Sequence, residues 1–136
     1  MNDTKVELPA VGTIVSKQHT CTLADFTRFA ALSRDDNPIH VDADFAAGTR
    51  FGRPVAHGML LYSLLCGLLS QHFPGAVQLD QTFIFPAPTY ADVPLTLRAE
   101  VLELLADGQA RLATTITDPA GEVLAQGETR LAWRNS

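Results

Sequence analysis

Apolar residues recur along this chain with two different periods, and the change of period divides it. From Val11 to Thr20 a run rich in β-branched residues (Val11, Thr13, Ile14, Val15) predicts a strand. Thr22 then stands three positions before Asp25, close to the pairing of a capping box, and opens a helix. Phe26, Phe29, Ala30 and Ser33 share one face of that helix, with Asp25, Arg28 and Arg34 nearer solvent. Pro38 stops it, because proline holds Asn37 to extended angles and has no N–H of its own. Asp42 is placed to cap a second, short helix that carries Phe45 and Ala46 and ends near Gly48; Phe51 to Ala56 is a loop.

The dominant element runs from His57 to about His72, with leucines around its whole circumference. A helix apolar on every side is expected to be buried on every side. Ser63, Cys66, Gly67 and Ser70 form a stripe of small side chains on it. Close approach of a strand or a ligand to that stripe is expected. Pro74-Gly75 ends the helix.

After Gly75 the period falls to two. Val77, Leu79, Phe83 and Phe85 alternate with polar residues, then Leu95 to Val101, then Ala110 to Ile116, then Val123 to Trp133. Asp107-Gly108 and Asp118 to Gly121 are the turns between the later runs. Such alternation describes an antiparallel sheet with one apolar face. One long buried central helix and about five antiparallel strands make an α+β chain, a twisted antiparallel sheet wrapped around the helix: the hot-dog fold. A doubly wound α/β fold is disfavoured, since the strands cluster instead of alternating with helices.

Composition narrows the functional classes. The chain has 136 residues, of which 46% are hydrophobic and 18% charged, so one globular domain is expected. A net charge of −5, with the basic residues scattered, offers no electropositive stripe for nucleic acid. The N-terminus lacks the apolar segment of a secretion signal, and Met59 to Leu69 is too short to span a bilayer. Cys21 and Cys66 share no ligand spacing and read as reduced thiols. A cytoplasmic protein without membrane contact is expected.

The chemistry concentrates in Ser33-Arg34-Asp35-Asp36-Asn37-Pro38-Ile39-His40 and Arg53-Pro-Val-Ala-His57-Gly58-Met59. A proline-stiffened turn returns His40 to Asp35, and a carboxylate and an imidazole on one rigid turn can share a water molecule. Gly58 opens the long helix, whose first N–H groups carry the positive end of the dipole and can receive a carbonyl oxygen. Plainer readings stand beside these. Asp35 and Asp36 also read as solvated acids at a helix end, His40 as a loop histidine, Asn37-Pro38 as a turn, and His57 as a structural or capping residue. No third or fourth ligand has recognisable spacing, so no metal is expected.

These two segments resemble the MaoC-like (R)-specific enoyl-CoA hydratases, whose signature reads Gly-Asp-x-Asn-Pro-aliphatic-His. The resemblance implies a single hot-dog hydratase domain over residues 1–136, with residues 1–9 a flexible extension. It implies that Asp35 and His40 are the catalytic pair and that the Gly58 amide polarises a thioester carbonyl. Asn37, Ser63, Arg53 and His57 are the expected substrate contacts, with Arg50 and Arg34 further candidates for phosphate. Coenzyme A is part of the substrate, no separate cofactor is implied, and a homodimer is. Arg34 departs from the pattern by standing at the usual glycine. A dehydratase of acyl-carrier-protein substrates, a hot-dog thioesterase and a non-catalytic acyl-binding module are the alternatives.

Overall fold

The structure is a computed structural model, which describes residues 7–133. Thr22 caps the first helix in both directions. Its hydroxyl accepts from the Asp25 N–H at 3.2 Å and its own N–H donates to the Asp25 carboxylate at 2.8 Å. The helix that follows is α1 (Leu23–Ser33), preceded in the chain by strand β1 (Ile14–Thr20). Two short helices come next, α2 (Pro38–Val41) and α3 (Ala43–Ala47), then the long helix α4 (Gly58–His72). The remaining strands are β2 (Ala76–Gln81), β3 (Pro94–Leu105), β4 (Gln109–Thr117) and β5 (Val123–Trp133). All pairings are antiparallel, and the strand order is β1-β3-β4-β5-β2.

Three sequence expectations change. The first strand begins at Ile14, because Gly12 adopts φ 90° and turns the chain before it. The second ends at Gln81 after a bulge at Leu79, so Phe83 and Phe85 lie in a crossing segment. Pro38 also opens a helix where a turn alone was expected, because its fixed φ suits the first helical position. Of the expected extension, residues 1–6 lie outside the described residues, while Leu8 packs against the core.

The sheet packs on α4 through one face of that helix. Leu61, Leu65, Leu68 and Leu69 meet Leu95, Leu97, Leu112, Ile116 and Leu131 in a single apolar cluster. Burying each such leucine contributes about 1.5–3 kcal/mol, which fixes the rotation of α4 about its axis. The small stripe consequently turns outward. Met59, Ser63, Gly67 and Ser70 are exposed, and nothing lies within 4 Å of the position a Gly67 Cβ would take. The helix is therefore buried on one face and not on all, and neither strand nor side chain crowds the stripe.

Cys66 is the member of the stripe that points inward. It joins a hydrogen-bonded polar layer between α4 and the sheet. Tyr62 and Cys66 both donate to the Gln78 carboxamide oxygen, and the Gln78 amide donates to Gln81 and Thr129. Buried polar groups are tolerated when they satisfy one another in this way. Burial, with the Cys66 contact behind it, pushes the Tyr62 phenol up. Cys21 is also free and buried, and burial with the charge of Asp25 raises its thiol to about 11, so it reads as an inert core residue.

The crossing segment 82–89 delivers Phe85 to the start of α4, and β5 makes room for it with Gly127. A Cβ at Gly127 would stand 1.7 Å from the Thr82 carbonyl oxygen. Gly127→Ala is therefore expected to cost at least about 2 kcal/mol in chemical denaturation, since backbone must move to admit the methyl. A loss below about 0.5 kcal/mol, within the scatter of surface substitutions, would contradict this packing.

Candidate active site

Helix α1 ends at Arg34, whose φ of 64° and ψ of 14° place it in the left-handed region. That conformation is what glycine at this position would supply most readily, and arginine adopts it here against its preference. The chain reverses and Asp35 leaves the helix axis. Its backbone is held on both sides. The Asp35 N–H donates to the Ser33 hydroxyl at 3.2 Å, and the Asp35 carbonyl accepts from His57 Nε2 at 2.8 Å. Asn37 then caps α2, its side-chain oxygen accepting from the Ile39 N–H at 3.1 Å. With that cap and Pro38, His40 is set in the short helix.

His40 donates from Nδ1 to the Val55 carbonyl at 2.7 Å, a partner that only accepts. Val55 in turn donates its N–H to the Ile39 carbonyl at 3.1 Å, so the two segments are tied twice. His40 Nε2 is free of protein hydrogen bonds and faces Asp35 Oδ2 at 3.9 Å. The His40 side chain is 15% exposed and the Asp35 side chain 56%. The turn thus brings the expected pair together, within one solvent molecule of each other.

His57 lies beneath them, 2% exposed, its ring stacked on His40 at 3.8 Å and 23°. It occupies the N-cap position of α4 but makes no capping hydrogen bond with its side chain. The capping reading of His57 is corrected: its ring reaches back to Asp35 instead. The first N–H groups of α4 are left for another acceptor at the positive end of a helix dipole. Gly58 begins that helix, and a Cβ there would meet the Phe85 ring at 2.9 Å. A cleft of about 550 Å³ opens beside Gly58, lined also by Arg50, Phe51, Val55, Leu61, Phe85 and Tyr90.

The other expected contacts fall in different places. Arg53 stacks its guanidinium over Tyr90 at 4.0 Å, and Arg50 over Phe51 at 4.7 Å; Arg50, Phe51 and Tyr90 line the cleft, and Arg53 reaches it only through Tyr90. Arg34 lies beside a shallow depression with Thr27, Asp36 and Val41. Ser63 donates to the Leu60 carbonyl at 2.6 Å and lines a second groove with Lys17, His19 and Gly67, away from the Gly58 cleft. Asp35, His40 and His57 also offer ligand atoms within 4.8 Å of one another, the one such group found among the described residues. Its third member was hidden by sequence distance. Each ring holds one nitrogen on a carbonyl and keeps the other free.

The MaoC like domain matches residues 9–122. The chain belongs to the MaoC-like family. Among curated relatives of this MaoC-like chain, the (R)-specific enoyl-CoA hydratase of Aeromonas caviae is 44% identical over 108 residues, covering 77% of this chain and 81% of the relative. The 3-hydroxybutyryl-CoA dehydratase of Methylorubrum extorquens is 38% identical over 108 residues, covering 77% and 68%. The solved (R)-hydratase of Aeromonas caviae superposes with a TM-score of 0.89 at 38% identity, covering 93% of this chain and 98% of that one. The hot-dog architecture read from the pattern is shared with that structure, and the MaoC-like motif lies on the turn just described. What the sequence did not disclose was the contact of His57 with Asp35 and His40, and the aromatic seats of Arg50 and Arg53.

Proposed function

We propose that this chain hydrates trans-2-enoyl-CoA reversibly to (R)-3-hydroxyacyl-CoA, with Asp35 and His40 as its acid–base pair. The observation that carries this reading is the 3.9 Å gap between the Asp35 carboxylate and His40 Nε2. A water donating one O–H to each, over arms of about 2.8 Å, spans roughly 4 Å. The same contact polarises both O–H bonds and aims the oxygen lone pairs away from the protein, toward C3 of a substrate.

The oxygen adds to C3, one water proton passes to the pair, and a proton returns to C2 from the same face. Charge develops on the thioester oxygen as C3 is attacked. The Gly58 N–H, at the uncapped start of α4, is the donor for it. Val55 holds the Nδ1 proton of His40, so Nε2 is the nitrogen that exchanges protons with water. Arg50 and Arg53, with their planes set on aromatic rings, supply charge for the phosphates of coenzyme A. No redox group or metal enters this scheme, and coenzyme A arrives as part of the substrate. Both curated relatives named above act, by their names, on CoA thioesters, which favours that carrier over an acyl carrier protein.

A second copy of the chain completes the site. Asp35 stands open to solvent in one chain, where a water-excluding pocket would serve the chemistry better. The edge strand β2 exposes Val77 and Leu79, and Met59 and Ile84 are also exposed, a surface suited to a symmetric partner. We place the protein in the cytoplasm on its two free thiols; among the described residues no helix is long and apolar enough to cross a membrane.

Two measurements check these statements. Asp35→Asn and His40→Ala should each lower crotonyl-CoA hydration by about 10²–10⁴-fold, followed by loss of enoyl-thioester absorbance, with circular dichroism unchanged. Turnover at the parent rate in either variant would remove the pair from the reaction. Sedimentation equilibrium should give twice the mass of a single chain; a monomer at micromolar concentration would contradict the second copy.

A further inference from the structure

Of the three residues brought together at the turn, His57 is the one the scheme above leaves without a task. Its burial is nearly complete at 2% exposure, and its Nδ1 has no hydrogen-bond partner. That is a poor choice of residue for filling space, because a phenyl ring would do so without stranding a nitrogen. It is also a poor helix cap, since the ring makes no bond to the start of α4. Two contacts remain to account for an imidazole. Nε2 reaches the Asp35 carbonyl oxygen at 2.8 Å, across a sequence separation of 22. The ring face lies flat beneath His40, centroids 3.8 Å apart, with Phe29 packed against it at 4.9 Å.

The carbonyl only accepts, so Nε2 must carry the proton and Nδ1 is a bare lone pair. One side chain therefore fixes both members of the acid–base pair by different means. It tethers the main chain of Asp35 one residue after the left-handed Arg34, on the carbonyl side, opposite the Ser33 bond to the Asp35 N–H. It also gives His40 a flat seat, which with the Val55 carbonyl leaves that ring a single plane. We infer that His57 is a positioning residue that sets the Asp35–His40 spacing for the water. It touches neither substrate nor water, which replaces the substrate contact expected of it. The inference rests on the hydration reading above and assigns the pair's geometry to a residue outside it.

Displacing a reacting group by about 1 Å costs on the order of 10²-fold in rate. His57→Ala is expected to lower kcat for crotonyl-CoA by about that factor, with KM changed less than about threefold, since no substrate contact is lost. His57→Gln keeps an N–H donor at the reach of Nε2 without the ring, and His57→Phe keeps the ring without the donor. Gln should recover at least about a tenth of parent kcat and Phe should stay near the alanine rate, the tether mattering more than the seat. Near-parent kcat in His57→Phe, or equal rates for Gln and Phe, would overturn the inference and leave His57 a packing residue; a rise in KM with kcat intact would do the same. The Gln–Phe contrast stands even if the alanine variant fails to fold. Asp35→Asn assayed in parallel separates the two levels: parent-level turnover there overturns the hydration reading itself, whereas an inactive Asp35→Asn beside an active His57→Phe overturns only the tether.

Discussion

Two segments separated in sequence are locked together by main-chain carbonyls, and the site exists only because of that lock. The Val55 carbonyl takes the Nδ1 proton of His40, the Ile39 carbonyl takes the Val55 N–H, and the Asp35 carbonyl takes the Nε2 proton of His57. Each bond uses a backbone acceptor, whose position is set by the fold and not by a side-chain rotamer. Such bonds fix which ring nitrogen carries a proton as well as its position, because a carbonyl accepts and cannot donate. The consequence is a carboxylate oxygen and the second ring nitrogen of His40 facing each other across a gap of 3.9 Å. An ordinary ion pair would close that gap. The lock keeps it open.

The same lock ties the chemistry to the fold. Val55 and His57 lead directly into α4, whose rotation is fixed by its leucine face against the sheet. The helix start is fixed again by Phe85, which lies where a Gly58 side chain would have to be. Phe85 comes from a segment that crosses β5 at Gly127, where any side chain would collide with backbone. Two glycines far apart in sequence thus do one job, letting a crossing segment lie close enough to set the start of α4 beside the cleft. Stability and function are coupled through this contact, and crowding at Gly127 would be felt at Gly58.

Much of this was legible in the chain because local rules act at short range. The capping box at Thr22 and Asp25 formed as written, and Asp107 and Gly108 both took positive φ, as their hairpin turn demands. The β-branched run gave the first strand and the four period-2 runs the others. The proline turn brought Asp35 and His40 within one water of each other, which sequence spacing alone predicts. Arg34, an exception to the glycine pattern, kept the backbone shape that glycine would give. What sequence could not show were orientations set by tertiary packing. The small stripe of α4 faces outward because leucines on the other face bury more area, and leucines all around the helix conceal which face wins. His57 lies next to Gly58 in the chain and was read as a cap; its partners Asp35 and His40 reach it only after α1, α2 and the 50–56 loop have folded.

The central claim is that one water, held between two acceptors on one side of the substrate, supplies both the oxygen for C3 and the hydrogen for C2. Stereochemistry tests it more directly than rate. Crotonyl-CoA hydrated by this protein in D2O should give (R)-3-hydroxybutyryl-CoA with deuterium at C2 on the same face as the new hydroxyl. Deuterium on the opposite face would require oxygen and proton to come from groups on two sides, and an (S) product would place the water on the other face of the double bond; with either result the geometry described here would not be the one that performs the reaction.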